Sequence, residues 1–398
     1  MPGANARIRI RVPMSARPID EPHRVSSQLE LLFDLTFVVA VAAVTAELAH
    51  QIADAHALVS IVPFLQVFFA IWWAWMNFTW FASSYDTDDV AYRLLTMLQM
   101  AGVLVLAAGV PAAADHSDFR AITIGYVIMR IALVAQWVRA GIEDPASRRT
   151  AFRYAAGIAV VQVGWVLRLV LLDTGALPPS TQLPLFLVLA VLDLLVPRWA
   201  ERTAPTNWHP HHIAERYGLF TIILLGESVL AAATGVQGAL DATGISGAFI
   251  TVAISSLVLL FALWWLYFLE PAGEALSARR ERSYLWGYSH YGIFAALAAL
   301  GAGLEVAVGQ TGHHVEAPPL EVTYAVAIPV AVFLTLLWAV HAPLVDEPVI
   351  PPVFLLSCVA VILLLPLTVS WIGVSAVIAA IATTSVLLIA ATITLRTD

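Results

Sequence analysis

The chain has 398 residues, 60% hydrophobic and 12% charged, with a formal net charge of −8. A soluble domain averages about 25% charged and 45–50% apolar residues. Charges this sparse exclude a soluble enzyme, the apolar content excludes a disordered chain, and one cysteine, Cys358, excludes a disulfide scaffold. With a mean hydropathy of +0.83, the expected class is all-α, a polytopic integral membrane protein.

Residues 1–29 hold Arg7, Arg9, Arg11, Arg17 and Arg24 among prolines, and no apolar cleavable segment follows at signal-peptide spacing. They read as a flexible, Arg-rich cytoplasmic tail that orients the first helix. A crossing helix needs about 20 apolar residues. About twelve transmembrane helices are predicted, over 30–50, 59–81, 94–113, 119–140, 152–173, 183–197, 212–234, 245–268, 286–309, 321–341, 353–369 and 371–394. The sixth and eleventh are short, and the last two are separated by little more than Ser370.

All 20 basic residues are arginine, which reads first as compositional bias. Their positions are informative. Arginines edge the connections after the second, fourth, sixth and eighth spans: Arg93, then Arg139, Arg148, Arg149 and Arg153, then Arg198 and Arg202, then Arg279, Arg280 and Arg282. The opposite connections hold only Arg120. This asymmetry predicts an even number of spans with both termini cytoplasmic.

The two halves of the chain share an order of features. Trp72-Trp73 is matched by Trp264-Trp265, Asp89 by Glu281 and Tyr92 by Tyr284, all at an offset of 192 residues. Glu30 aligns with Glu215 and Thr36 with Thr221 at an offset of 185. The expected organisation is a tail (1–29), a first six-helix half (30–200), a cytoplasmic linker (201–211) and a second six-helix half (212–398). Six spans per repeat make the two repeats parallel, related by an axis along the membrane normal. The paired tryptophans read as interfacial belts.

Two segments carry a family resemblance. Span one reads Glu30-Leu31-Leu32-Phe33-Asp34-Leu35-Thr36-Phe37-Val38, and span seven opens His212-Ile213-Ala214-Glu215-Arg216-Tyr217-Gly218 and continues through Gly226-Glu227-Ser228. These resemble the signatures of the bacterial low-temperature-requirement protein A family, LtrA, with Leu32 and Thr36 departing from its usual first segment. The resemblance implies a multi-span membrane protein linked by name to growth in the cold, located in the bacterial inner membrane. It brings no substrate with it.

Charges inside spans are costly and are usually functional or paired. Glu30 and Asp34 share one face of span one, four residues apart. With Glu215 and Glu227 they form a candidate ion or substrate pathway. Glu227 lies near the centre of span seven, beside Gly226, a residue that lets another backbone approach or lets the helix loosen. Two readings stand for Glu227: a proton- or cation-binding carboxylate, or a buried bridge to Arg130 or Arg168. Arg130, Arg168 and Asp193 are candidate ion pairs, structural or on a pathway. His211 and His212 precede span seven and are candidate pH sensors. His313-His314 with Glu316 is a weak metal candidate. Gly301-Ala302-Gly303 is a small-residue packing face.

There is no His-Glu-x-x-His pattern, no Gly-Lys-Ser/Thr phosphate loop and no Gly-x-Ser-x-Gly. No metal, no cofactor and no catalytic residue is expected, and no nucleic acid is expected as partner. The partners expected are the lipid bilayer and an ion or small-molecule substrate, with the oligomeric state left open. The function these features favour is a secondary transporter or channel for protons, ions or a small polar solute. The alternative is a non-transporting membrane sensor or scaffold supporting growth at low temperature.

Overall fold

The computed structural model describes residues 10–397 apart from 20, 23, 243–245, 313–314 and 346–347, with backbone alone at 231–232, 234–242 and 396–397. Arg7, Arg9 and the His313-His314 pair therefore lie outside the described residues. The described chain is helical, without strands. Eleven of its helical segments are long and apolar enough to cross a membrane. The long helices are α1 (Gln28–Ala53), α2 (Ala57–Tyr85), α3 (Val90–Ala108), α4 (Arg120–Glu143), α5 (Arg148–Asp173), α6 (Gln182–Ala200), α7 (Pro210–Ala242), α8 (Gly247–Tyr267), α9 (Ser283–Gln310), α10 (Pro319–His341), α11 (Pro352–Leu364) and α12 (Val374–Thr397). A helix satisfies its own backbone hydrogen bonds, which makes it the form available to an apolar chain in lipid.

The chain divides into two compact units. The first comprises residues 1–40 and 70–213. Within it α3 packs on α4, α4 on α5 and α5 on α6. Its interior is aromatic: Phe33 lies 4.0 Å from Phe78 between ring centres, and Trp137 stacks on Tyr154 at 4.1 Å with an interplanar angle of 4°. Such pairs add about 0.5–1.5 kcal/mol each beyond the area they bury.

The expected flexible tail is corrected in its second part, which is tied down on this unit. The amides of Val12 and Met14 donate to Asp89 and Glu143 at 3.0 and 2.7 Å. The Arg17 amide donates to the Ser84 carbonyl at 2.9 Å. Prolines keep this stretch out of a helix, so its amides are available for carboxylate acceptors.

The second unit comprises residues 41–69 and 214–398. Here α9 packs on α10, α8 on α12, and α11 on both α10 and α12. A Cβ added at Gly303 would overlap the Ala325 carbonyl, so α9 and α10 meet backbone to backbone there. The break between the last two spans falls at Gly373 (φ +82°), three residues beyond Ser370. Leu365–Thr368 tighten into a 3-10 turn containing Pro366, which cannot donate to the ladder, and the chain then reverses where only glycine is unstrained.

The tryptophan pairs differ in setting. Trp72 and Trp73 are 1% exposed, whereas Trp264 and Trp265 are 45% and 49% exposed. The first pair is core, not interfacial belt, and only the second is placed to meet lipid.

Gly303→Val should force α9 and α10 apart and destabilise the protein by about 1–3 kcal/mol. A lowered thermal midpoint in detergent would report this, and an unchanged midpoint would refute backbone contact at that point.

Candidate functional site

Among the described residues, the predicted ionisable site residues that are buried fall into three sets, two in the first unit and one in the second. The first gathers at the start of α1. Ser27 and Glu30 form a reciprocal cap: the Ser27 amide donates to Glu30 Oε2 at 2.7 Å and the Glu30 amide to Ser27 Oγ at 3.4 Å. Glu30 is fully buried. Its Oε1 lies 3.0 Å from His212 Nε2 and 3.4 Å from Arg24 Nη2. Arg24 also faces Asp86 at 3.6 Å, and Arg17 reaches Asp86 at 3.3 Å. Asp34, one turn along α1, accepts the Trp75 indole N–H at 2.7 Å.

Tertiary structure thus brings Glu30 and His212 together and recruits Arg24, which the sequence reading left in the tail, and Asp86, which it did not single out. The signal for part of this was present: Ser-x-x-Glu before an apolar run is a helix-start signature. Of the two candidate pH sensors, His212 is fully buried in this cluster and His211 is exposed, at 5.8 Å from the His209 ring. Glu215 is half-buried one turn further along α7.

The loop after α2 sets two carboxylates apart electrostatically. Burial pushes the Asp86 carboxyl up, helped by the negative charge of Glu30 and opposed by Arg24 and Arg17, to about 6. Burial acts on Asp89 in the same direction. There it is outweighed by Arg139, which bonds at 2.6 and 2.9 Å, and by the Tyr92 and Val12 amides, which hold Asp89 down at about 2. Burial also lowers His209, in the segment leading into α7.

The second set lies among α2, α4, α5 and α6. Arg130 Nη2 meets Asp193 Oδ1 at 3.2 Å, both residues being buried. Asn77 accepts from Arg130 at 3.1 Å, and Trp165 donates to the other Asp193 oxygen at 2.8 Å. Arg130 also stands over the Tyr126 ring at 5.3 Å. Arg168 donates to the Gln182 carbonyl at 3.2 and 3.3 Å and sits among the rings of Phe119, Trp165 and Phe186. Such a cation is held by backbone and ring quadrupoles instead of a carboxylate.

The third set lies in the second unit. Glu227 on α7 is 9% exposed, and no hydrogen bond or ion pair to it is present among the described residues. It is within electrostatic range of Glu305 on α9. The two helices close on each other beside this pair, since a Cβ at Gly301 would stand 2.9 Å from Ser228 Oγ. Gly301 and Glu305 share a face of α9. The close approach expected at Gly226 occurs at Gly301 instead. Gly226 faces open space at the edge of a groove of about 550 Å³, whose walls include Ile222, Val229, Phe261 and Trp264.

An all-helical chain with this many apolar spans and with charges buried inside its units is a polytopic membrane protein. Residues 25–392 match the model of the bacterial low temperature requirement A protein family, LtrA, and the chain belongs to that family. It is 28% identical over 280 residues to an uncharacterized protein of Rhizobium meliloti (strain 1021), covering 66% of this chain and 64% of that protein. The alignment thus spans less than two thirds of that relative. No solved structure matches the chain.

Removing one partner from a buried ion pair strands the other charge, at a cost of about 3–5 kcal/mol. Asp193→Ala should therefore lower the thermal midpoint far more than the double substitution of Asp193 and Arg130 by apolar residues of similar volume. Comparable losses in both would argue against a paired charge.

Asp86 predicts a pH effect of definite sign. Its folded value lies above the ordinary 3.8, so the folded state binds this proton more tightly than the unfolded chain. Its contribution to stability is full below about pH 4 and is lost as pH rises through about 6. Thermal midpoints of wild type minus Asp86→Asn should fall between pH 4 and 6.5. A flat difference would show that Asp86 titrates normally.

Proposed function

We propose that the protein is a secondary transporter or channel for protons, ions or a small polar solute, working through buried carboxylates. The reading places it as a multi-pass protein of the bacterial inner membrane with both termini cytoplasmic. Its two six-helix halves are 30–200 and 212–398. The lipid bilayer and an ion or small-molecule substrate are its partners.

One observation carries this reading: Glu227, a buried carboxylate on an apolar helix, has Glu305 for an electrostatic neighbour and no ion-pair partner among the described residues. An ionised carboxylate removed from water must find a counter-charge or take a proton. Two such groups in electrostatic range share protons or a cation more readily than both remain ionised. That chemistry is reversible binding of a positive charge inside a membrane, which a purely structural carboxylate does not need. Arg130 and Arg168, the bridge partners considered for Glu227, have their hydrogen bonds to Asn77, Asp193 and Gln182 within the first unit. Glu30 and Asp34 belong to the same reading as charged groups at the start of α1, with Glu215 at the start of α7.

The experiment is flux into liposomes reconstituted with purified protein under an imposed pH or potassium gradient, against protein-free vesicles. Wild type should carry flux, and Glu227→Gln and Glu305→Gln should each reduce it at least tenfold while retaining the wild-type thermal midpoint. Equal flux in wild type and both variants would remove the carboxylates from the pathway. A wild type silent under both gradients would reject proton and potassium conduction and favour the sensor or scaffold reading.

A further inference from the structure

The second unit holds a cavity separate from the Glu227–Glu305 pair. It has a volume of about 360 Å³ and lies where the end of α8 and the following helical turn (Ala272–Ala278) face the end of α10. Glu270, Glu274 and His341 line it, and Leu269, Val345 and Val349 supply apolar surface. The volume is in the range of small-ligand pockets, about 300–1,000 Å³.

His341 gives the cavity its chemical direction. The residue is 8% exposed. Its Nδ1 lies 3.0 Å from the Leu337 carbonyl one turn back. A carbonyl can only accept, so Nδ1 carries the hydrogen and, in the neutral ring, Nε2 holds a lone pair. His290 on α9 shows the same arrangement with its second nitrogen satisfied: Nδ1 faces the Trp286 carbonyl at 2.7 Å and Nε2 accepts the Tyr267 hydroxyl at 3.2 Å. The two rings are 6.4 Å apart. No donor to His341 Nε2 is present among the described residues, and His341 also lines the small recess that continues inward past Tyr267 and Trp338.

Three donors beside the cavity are bonded to protein acceptors. The Trp338 indole N–H is bonded to the Ile350 carbonyl at 3.2 Å, and the Val349 amide to Glu270 at 3.0 Å. Arg279 donates to the carbonyls of Pro343 and Val345 at 2.8 and 3.2 Å. Among the described residues, the lining thus carries an imidazole, two carboxylates and hydrocarbon surface.

We infer that this cavity binds a small primary alkylammonium ion, with its N–H groups donating to His341 Nε2 and the carboxylates of Glu270 and Glu274 and its alkyl chain against Leu269, Val345 and Val349. An anion would meet two carboxylates, and a neutral hydrocarbon would leave the imidazole nitrogen without a donor. The inference does not depend on Glu227 or on transport, because binding here is read without any gradient.

The test is calorimetric titration of the full-length protein in lipid nanodiscs with n-butylammonium, and with n-butanol as the uncharged match. Saturable binding of the ammonium with none of the alcohol is expected. Glu274→Gln and His341→Ala should each weaken binding at least tenfold. Glu274 is exposed, so its variant should fold normally and stand as the control should His341→Ala lose stability. Absence of saturable heat from the ammonium, equal binding of the alcohol, or wild-type affinity in a folded Glu274→Gln would each overturn the inference.

Discussion

A charge carried into an apolar helix bundle must bring its own compensation, because water is not there to supply it. The first unit is organised by this constraint. Arg130 and Asp193 are each buried, and each has a second polar contact, Asn77 for the guanidinium and Trp165 for the carboxylate. Four helices supply those four side chains, so the pair also fixes which helices can be neighbours. Arg168 meets the same demand differently, with a backbone carbonyl and three aromatic faces.

The same constraint explains why Arg11, Val12, Met14, Arg17 and Arg24 lie against the protein. These arginines and the free amides meet Asp86, Asp89 and Glu143, carboxylates at the ends of α2, α3 and α4. Asp89 becomes a strongly held anion and Asp86 a weakly held one, although they are three residues apart. Burial and the charge of Glu30 raise Asp86, whereas Arg139 and two backbone amides outweigh burial at Asp89. Arg24 shares itself between Asp86 and Glu30, and Glu30 in turn meets His212 and caps α1 with Ser27. A helix start, a tail and the opening of α7 are thereby joined through one buried carboxylate.

The second unit departs from this pattern in two places. Glu227 has an acidic neighbour in Glu305, and His341, with one nitrogen bonded to backbone, lines a cavity. Groups whose compensation does not come from the fold are the ones able to take it from a ligand or a proton. This distinction sets Glu227 and His341 apart from the charges that hold helices together.

Much of the fold was legible from residue order alone. Apolar runs of about 20 residues can only be helices in lipid, so class, number and approximate bounds of the spans follow from local composition. The motifs around Glu30 and Glu227 were enough to identify the family, since they are contiguous in the chain. Partnership was not legible. Asp193 is 63 residues from Arg130, and His212 is 182 residues from Glu30. An arginine's partner is set by which helices pack together and at what rotation, a sum of many weak contacts spread along the chain. For the same reason the Trp-Trp pairs looked alike in sequence and fell into core and surface settings. Composition determined that the chain is a bundle of membrane helices, and tertiary packing alone decided which buried charges are satisfied and which stand ready for a partner.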